Sequence, residues 1–250
     1  MHSQRIIPCL QLKGTELVKT YQFKTPQLIG DPIRAIRVFN EKKVDELIIL
    51  DIQATIKQRK PNLQLITDIL NEYSMPVMYG GGIHSLDDIK SIVDIGVNKV
   101  ILNSYAAENP QAIKMAAEKF GSNRIVVSMD VRKNFFGKHE VWTHSGTVST
   151  RMSPIRYAVE MEHMLCGELF LNSIDRDGTR QGYDLDLIRE VSEAVSIPVI
   201  ACGGASNASD IMEALEMSGA SAIAAGSMFL YDERRRTISI TFPAFQELHV

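Results

Sequence analysis

The chain repeats itself. Pro32-Ile33-Arg34 returns as Pro154-Ile155-Arg156, and Glu46-Leu47 returns as Glu168-Leu169, both 122 residues on. The register then holds: Pro76-Val77 matches Pro198-Val199, Gly81-Gly82 matches Gly203-Gly204, Asp88-Ile89 matches Asp210-Ile211 and, one inserted residue later, Ser104 matches Ser227. Such a register implies two halves of like structure, about 1–122 and 123–250. Short β-rich runs lie at 5–11, 46–52, 76–80, 99–103, 125–131, 168–174, 198–202 and 222–226, with amphipathic helical patterns between them. Most runs are apolar on both faces, as expected for a parallel sheet covered by helices outside and filled by side chains inside. A closed (β/α)₈ TIM barrel and an open doubly wound sheet share this pattern. Two four-unit halves fit the closed α/β barrel with pseudo-twofold symmetry, because an open sheet gives its halves different edges. The expectation is one barrel domain over 1–250, a common length for that fold, and no Ser/Gly linker or charge block divides it.

Composition excludes several functions. Hydrophobic residues make up 45% and charged residues 23%, with a net charge of -3, as in a soluble globular protein. Nothing is basic enough for nucleic acid to be the main partner. The longest apolar stretches, such as "LIIL" at 47–50, fall far short of the roughly 20 residues of a membrane helix, and the N-terminus lacks a signal-peptide pattern. A cytoplasmic location is the expectation. Cys9, Cys166 and Cys202 are an odd number without metal-ligand spacing, so reduced thiols are expected, and neither a metal nor another cofactor is called for.

Barrels of this kind carry their functional groups at the C-terminal ends of strands, and a phosphate often rests on the loops after strands 7 and 8. "ACGGAS" (201–206, with Gly203 and Gly204) and "AAGSMF" (224–229, with Gly226 and Ser227) occupy those places. Their glycines permit close backbone approach, and N–H groups at helix starts face an anion. The repeat supplies a second pair after strands 3 and 4: "YGGGIHS" (79–85, with Gly81 and Gly82) and "LNSYAAENP" (102–110, with Asn103 and Ser104). Ser85 and Asp88 read as an N-cap and its partner. The remaining strand ends present Gln11, Asp51, Asp130 and Ser173, the last followed by "IDRDGT" with Asp177 and Gly178. Asp130 is the best acid/base candidate, because it ends an apolar run where desolvation raises a carboxyl pKa. Asp177 either touches a ligand or makes a turn, and Asp51 reads as structural. His84, His144 and Trp142 read as ordinary loop or helix-start residues.

The opposite strand ends bear Arg5, Glu46, Lys99 and Glu168, two cations and two anions around one floor. They form either a salt-bridge ring closing the core or a gate for a small molecule entering from below. Residues 13–32, with Lys13, Lys19 and Lys24, are longer than an ordinary barrel loop and read as a lid or binding loop.

"RIIPCL", "LDI", "GGGIHS", "ENP", "SIDRDGT", "GYD" and "GGA" together resemble the cyclase subunit family of imidazole glycerol phosphate synthase over nearly the whole chain. The resemblance implies a barrel that binds a bisphosphate across its top while a glutaminase docked below sends ammonia through the interior. It assigns the gate to Arg5, Glu46, Lys99 and Glu168, and the phosphate stations to Gly82, Asn103, Ser104, Gly203, Gly204, Gly226 and Ser227. Two aspartates perform the family's acid/base work; one corresponds to Asp130, and Gln11 stands in place of the other. A glutamine cannot exchange a proton near neutral pH. "LKGTELVKT", "IGDPI" and "FNEKKVDELI" resemble a subgroup that accompanies ATP-dependent N-acetyl sugar amidotransferases of surface-polysaccharide biosynthesis. That likeness implies a conduit for ammonia and an expectation that ring closure has lapsed. A working cyclase is the alternative.

Overall fold

The computed structural model describes residues 5–232 and 237–242; the outermost ends of both expected repeats lie outside them. Eight parallel strands form the barrel: β1 (Arg5–Lys13), β2 (Leu47–Asp51), β3 (Val77–Gly80), β4 (Lys99–Leu102), β5 (Ile125–Lys133), β6 (Glu168–Ser173), β7 (Val199–Cys202) and β8 (Ala222–Ala225). Each pairs with the next, and β8 pairs back onto β1 with Ile7 opposite Ala224, so the sheet closes. The eight runs read from the sequence are these strands, to within a residue or two at each end.

Among the described residues, seven helices of nine residues or more pack outside: α1 (Pro32–Glu41), α2 (Leu63–Glu72), α3 (Leu86–Asp94), α4 (Pro110–Phe120), α5 (Pro154–His163), α6 (Leu185–Ala194) and α7 (Ala208–Met217). Their starts repeat as the sequence does. Asp31 and Ser153 cap α1 and α5, each followed by proline at the first helical position. Asn62 and Asp184 cap α2 and α6, while Ser85 and Asn207 cap α3 and α7. Asp88 Oδ2 accepts from His84 N and Asp210 Oδ2 from Ser206 N, so even the reciprocal half of the cap is duplicated. One apolar layer lies between strands and helices. A second fills the barrel, where Ile7, Ile48, Met78, Val126, Phe170 and Ile200 meet. Burial of both strand faces is why the strands lack polar alternation.

Two departures from the sequence reading lie at the C-terminal end. Residues 13–32, read as a loop, are regular: strands Glu16–Tyr21 and Lys24–Gly30 make an antiparallel hairpin that continues the β1 ladder and lends Lys19, Thr20 and Phe23 to the cavities of the mouth. Leu17 and Val18 are buried, which anchors it. Trp142 is no loop residue; it sits on strand His139–Thr143 opposite Asp130, with the Arg132 guanidinium over its ring. No helix among the described residues is long and apolar enough to cross a membrane.

Candidate functional site

At the C-terminal mouth the two halves of the barrel open into two cavities. The first, about 810 Å³ with its open mouth included, is lined by Gly81, Gly82, Asn103, Ser104 and Asp130. The second, about 500 Å³, is lined by Lys19, Asp177, Gly178, Gly203, Gly204, Gly226 and Ser227. Gln11 and Asn172 line both and so stand on the boundary between them. The glycine loops read from the sequence are sorted by half-barrel between the two cavities, while Asp130 of the second half lines the first cavity and Lys19 of the first half lines the second.

The glycines have steric reasons. Gly82 has φ +72°, and a Cβ there would lie 2.3 Å from Arg59 O; its repeat partner Gly204 has φ +112°, and a Cβ would lie 2.1 Å from Gly182 O. Any side chain at either position collides with backbone, so glycine is required where each loop packs against its neighbour. Short helices Ser104–Glu108 and Ser227–Leu230 begin beside them and add their first N–H groups. Bare amides on both sides suit two anionic groups on one ligand. Lys19 lies at the wall of the second cavity with its Nζ 3.7 Å from the centre of the Tyr231 ring.

Asp130 ends the inward face of β5 and is buried. Burial, with the nearby charge of Asp177 added, pushes its carboxyl up to about 7, against the pull of Arg132. Asn103 Nδ2 donates to its Oδ2 at 3.2 Å. Asp177 is also buried and is pushed up to about 6, burial outweighing hydrogen bonds from the Thr20 hydroxyl (2.6 Å) and Phe23 N (3.2 Å). The Thr20 oxygen also stands 3.1 Å from Gln11 Oε1. A threonine hydroxyl has one proton, and the shorter contact to a carboxylate takes it. Asp51, which also lines the first cavity, is tied to its own loop: Arg59 Nη2 lies 3.2 Å from its Oδ2, and Gln53 N donates to Oδ1. His84 precedes the Ser85 cap of α3 and donates its backbone N–H to Asp88, while His144 lies in a turn with its Nε2 3.3 Å from Glu108 Oε1.

Thr20 and Asn172 escaped the sequence reading. Asn172 is 4% exposed, and its Oδ1 is buried with no hydrogen-bond partner among the described residues. An unsatisfied acceptor at the meeting point of two cavities is suited to an N–H or O–H of a ligand. The run "LFLNS" held the signal, a polar residue late in an otherwise apolar strand.

At the other end the four floor charges form one ring. Arg5 Nη1 lies 2.8 Å from Glu46 Oε2, and its Nη2 is paired with Glu168; Lys99 Nζ lies 2.8 Å from Glu168 and 3.9 Å from Glu46. Burial works against the Arg5 charge, but Glu168 and Glu46 outweigh it and its pKa rises. Arg5, Lys99 and Glu168 line an open depression on this face.

Known proteins are similar to this chain along nearly its whole length. The sequence model of a family described as histidine biosynthesis protein matches residues 5–235. A Pseudomonas aeruginosa protein provisionally named imidazole glycerol phosphate synthase subunit hisF2 is 45% identical over 250 residues, the whole of both chains. A Leptospira borgpetersenii protein, provisionally named as the HisF subunit of the same enzyme, is 41% identical over 96% of this chain and 94% of its own. Imidazole glycerol phosphate synthase subunit HisF of Saccharolobus solfataricus is 42% identical over 92% of this chain and 91% of its own. The chain, a closed barrel with a twofold-repeated mouth, belongs to the histidine biosynthesis protein family and within it to the HisF subunits of imidazole glycerol phosphate synthase.

Proposed function

We propose that the chain is an ammonia-using synthase subunit that acts at its own mouth. It takes a bisphosphate ribonucleotide and ammonia to imidazole glycerol phosphate and aminoimidazole carboxamide ribonucleotide. The observation that carries this reading is the pair of glycine-walled cavities, one on the glycine loops of each half-barrel, with a buried carboxyl pushed up to about 7 in the wall of the first. A ligand with a phosphate at each end would place its middle over Gln11, Asn172 and Asp130. The names of the relatives agree with this assignment. A HisH-like glutaminase subunit is the proposed ammonia source, docked on the floor, where the ring of Arg5, Glu46, Lys99 and Glu168 would gate entry. This reading departs from the expectation that ring closure has lapsed, because a bare conduit needs neither anion-binding cavity. The test is turnover of the bisphosphate ribonucleotide by the purified chain with ammonium salt, both products being measured. Formation of both supports the reading, and their absence at any pH from 5 to 9 overturns it.

One observation favours a second reading. Gln11 removes a carboxylate from the strand-1 end, which a barrel passing ammonia to an ATP-dependent N-acetyl sugar amidotransferase would not need. A chain that is inactive in the assay above and forms a complex with such an enzyme through its mouth face would bring this reading forward.

A further inference from the structure

Besides Asp130 and the Arg59-paired Asp51, the mouth holds a third carboxylate, and it shares the Thr20 hydroxyl with Gln11. Asp177 lines the second cavity from the loop after β6, on the far side of Thr20 from Gln11. Its Oδ2 is held by the Thr20 hydroxyl at 2.6 Å and Phe23 N at 3.2 Å. The backbone of the hairpin locks over the same loop, since Gln22 N donates to Asp177 O and Gln22 Nε2 to Asp175 O. The carboxylate is thus held by two hydrogen bonds on a loop that the hairpin pins, it is buried, and its charge is felt at Asp130. A turn-forming aspartate needs none of this: it would cap its own loop and face solvent.

We propose that Asp177, positioned by Thr20, is the second acid/base group of this mouth in place of a carboxylate at position 11. The proposal rests on the reading of the chain as an ammonia-using synthase. When ammonia adds to a carbonyl carbon, a C–N bond forms as the C=O π bond breaks, and to reach the neutral carbinolamine the nitrogen loses one proton and the oxygen gains one. Asp177, as carboxylate, takes the proton from nitrogen. Asp130, as carboxylic acid, gives its proton to oxygen. The pair ends with one proton moved from Asp130 to Asp177, and exchange with solvent resets it. Near-neutral groups with Asp130 the weaker acid suit this division, and the two titrate as a coupled pair. Activity should therefore rise as pH increases through about 6 and fall above about 7.

The experiment measures kcat and KM against pH for ammonium-dependent turnover of the bisphosphate ribonucleotide. Asp177→Asn should lower kcat by about 10² or more with KM little changed, and remove the acidic limb of the profile. Adding Gln11→Asp to Asp177→Asn should recover much of the loss, which a role in loop structure alone would not allow. Thr20→Val removes a hydrogen bond that favours the ionised form, so its acidic limb should move to higher pH. An active wild-type chain whose Asp177→Asn variant keeps kcat and the acidic limb overturns the assignment and leaves the function intact. A wild-type chain without turnover overturns the function, and the assignment with it.

Discussion

Asp130 is held at a cost to the fold, and that cost is measurable. Its pKa is raised above the unfolded value, so the folded state binds the proton more tightly, and stability present at low pH is lost as pH rises through about 7. Asp130→Asn keeps the shape and the Asn103 contact geometry but removes the buried charge. At pH 8 it is expected to raise Tm by at least about 2 °C, since about 1 kcal/mol corresponds to 2–4 °C in a chain of this size, while turnover falls by about 10² or more. At pH 4 the gain should vanish; a variant no more stable than the wild type at pH 8 would show that the Asp130 charge is not buried as described. Asp130 was legible because it ends an apolar run, where burial follows from pattern alone. Thr20 was not, since nothing in "LVKTYQF" says which side chain reaches a loop 157 residues away. Gln11 was legible only against Asp130, its counterpart in outline, and the structure adds what Gln11 stands beside.

The strands and helix starts were legible because each depends on neighbours in sequence: period, cap and proline. The hairpin after β1 was not, for a local reason. Its turn places Gln22 and Phe23 at φ 51° and 60°, a conformation usually supplied by Gly or Asn, so the usual turn signal is missing. Hydrogen bonds to Asp175 and Asp177 hold that turn instead, which ties the hairpin to the β6 loop and to the site. The floor ring was legible as four residue types, but its connectivity was not. Glu168 is the hub, 5% exposed at its side chain and paired with both Arg5 and Lys99, whose side chains are each 22% exposed. Removing one partner of a buried pair leaves the other charges uncompensated, at about 3–5 kcal/mol when fully buried. Because the cations reach solvent, Glu168→Gln is expected to destabilise by about 1–3 kcal/mol, read from urea unfolding at pH 7. Glu46→Gln, at the outer side of the ring, should cost less, and equal losses would contradict a Glu168-centred ring.

The repeat organises the whole molecule. Two half-barrels bring duplicate caps and glycine turns to one end, and closure of β8 on β1 places the duplicates across a shared centre. The sequence showed the duplication because an offset is visible without knowing the fold. It did not show that the two stations open into separate cavities divided by Gln11 and Asn172, since that depends on the barrel's closed geometry. Two stations linked by one ligand gain from each other, as the second contact becomes intramolecular. Calorimetric titration of the bisphosphate ribonucleotide, set beside inorganic phosphate, measures that gain without requiring any chemistry. One bisphosphate should bind per chain, at least about 100-fold tighter than phosphate. Binding no tighter than phosphate, or two independent sites for the bisphosphate, would contradict a mouth built to hold one ligand by both ends.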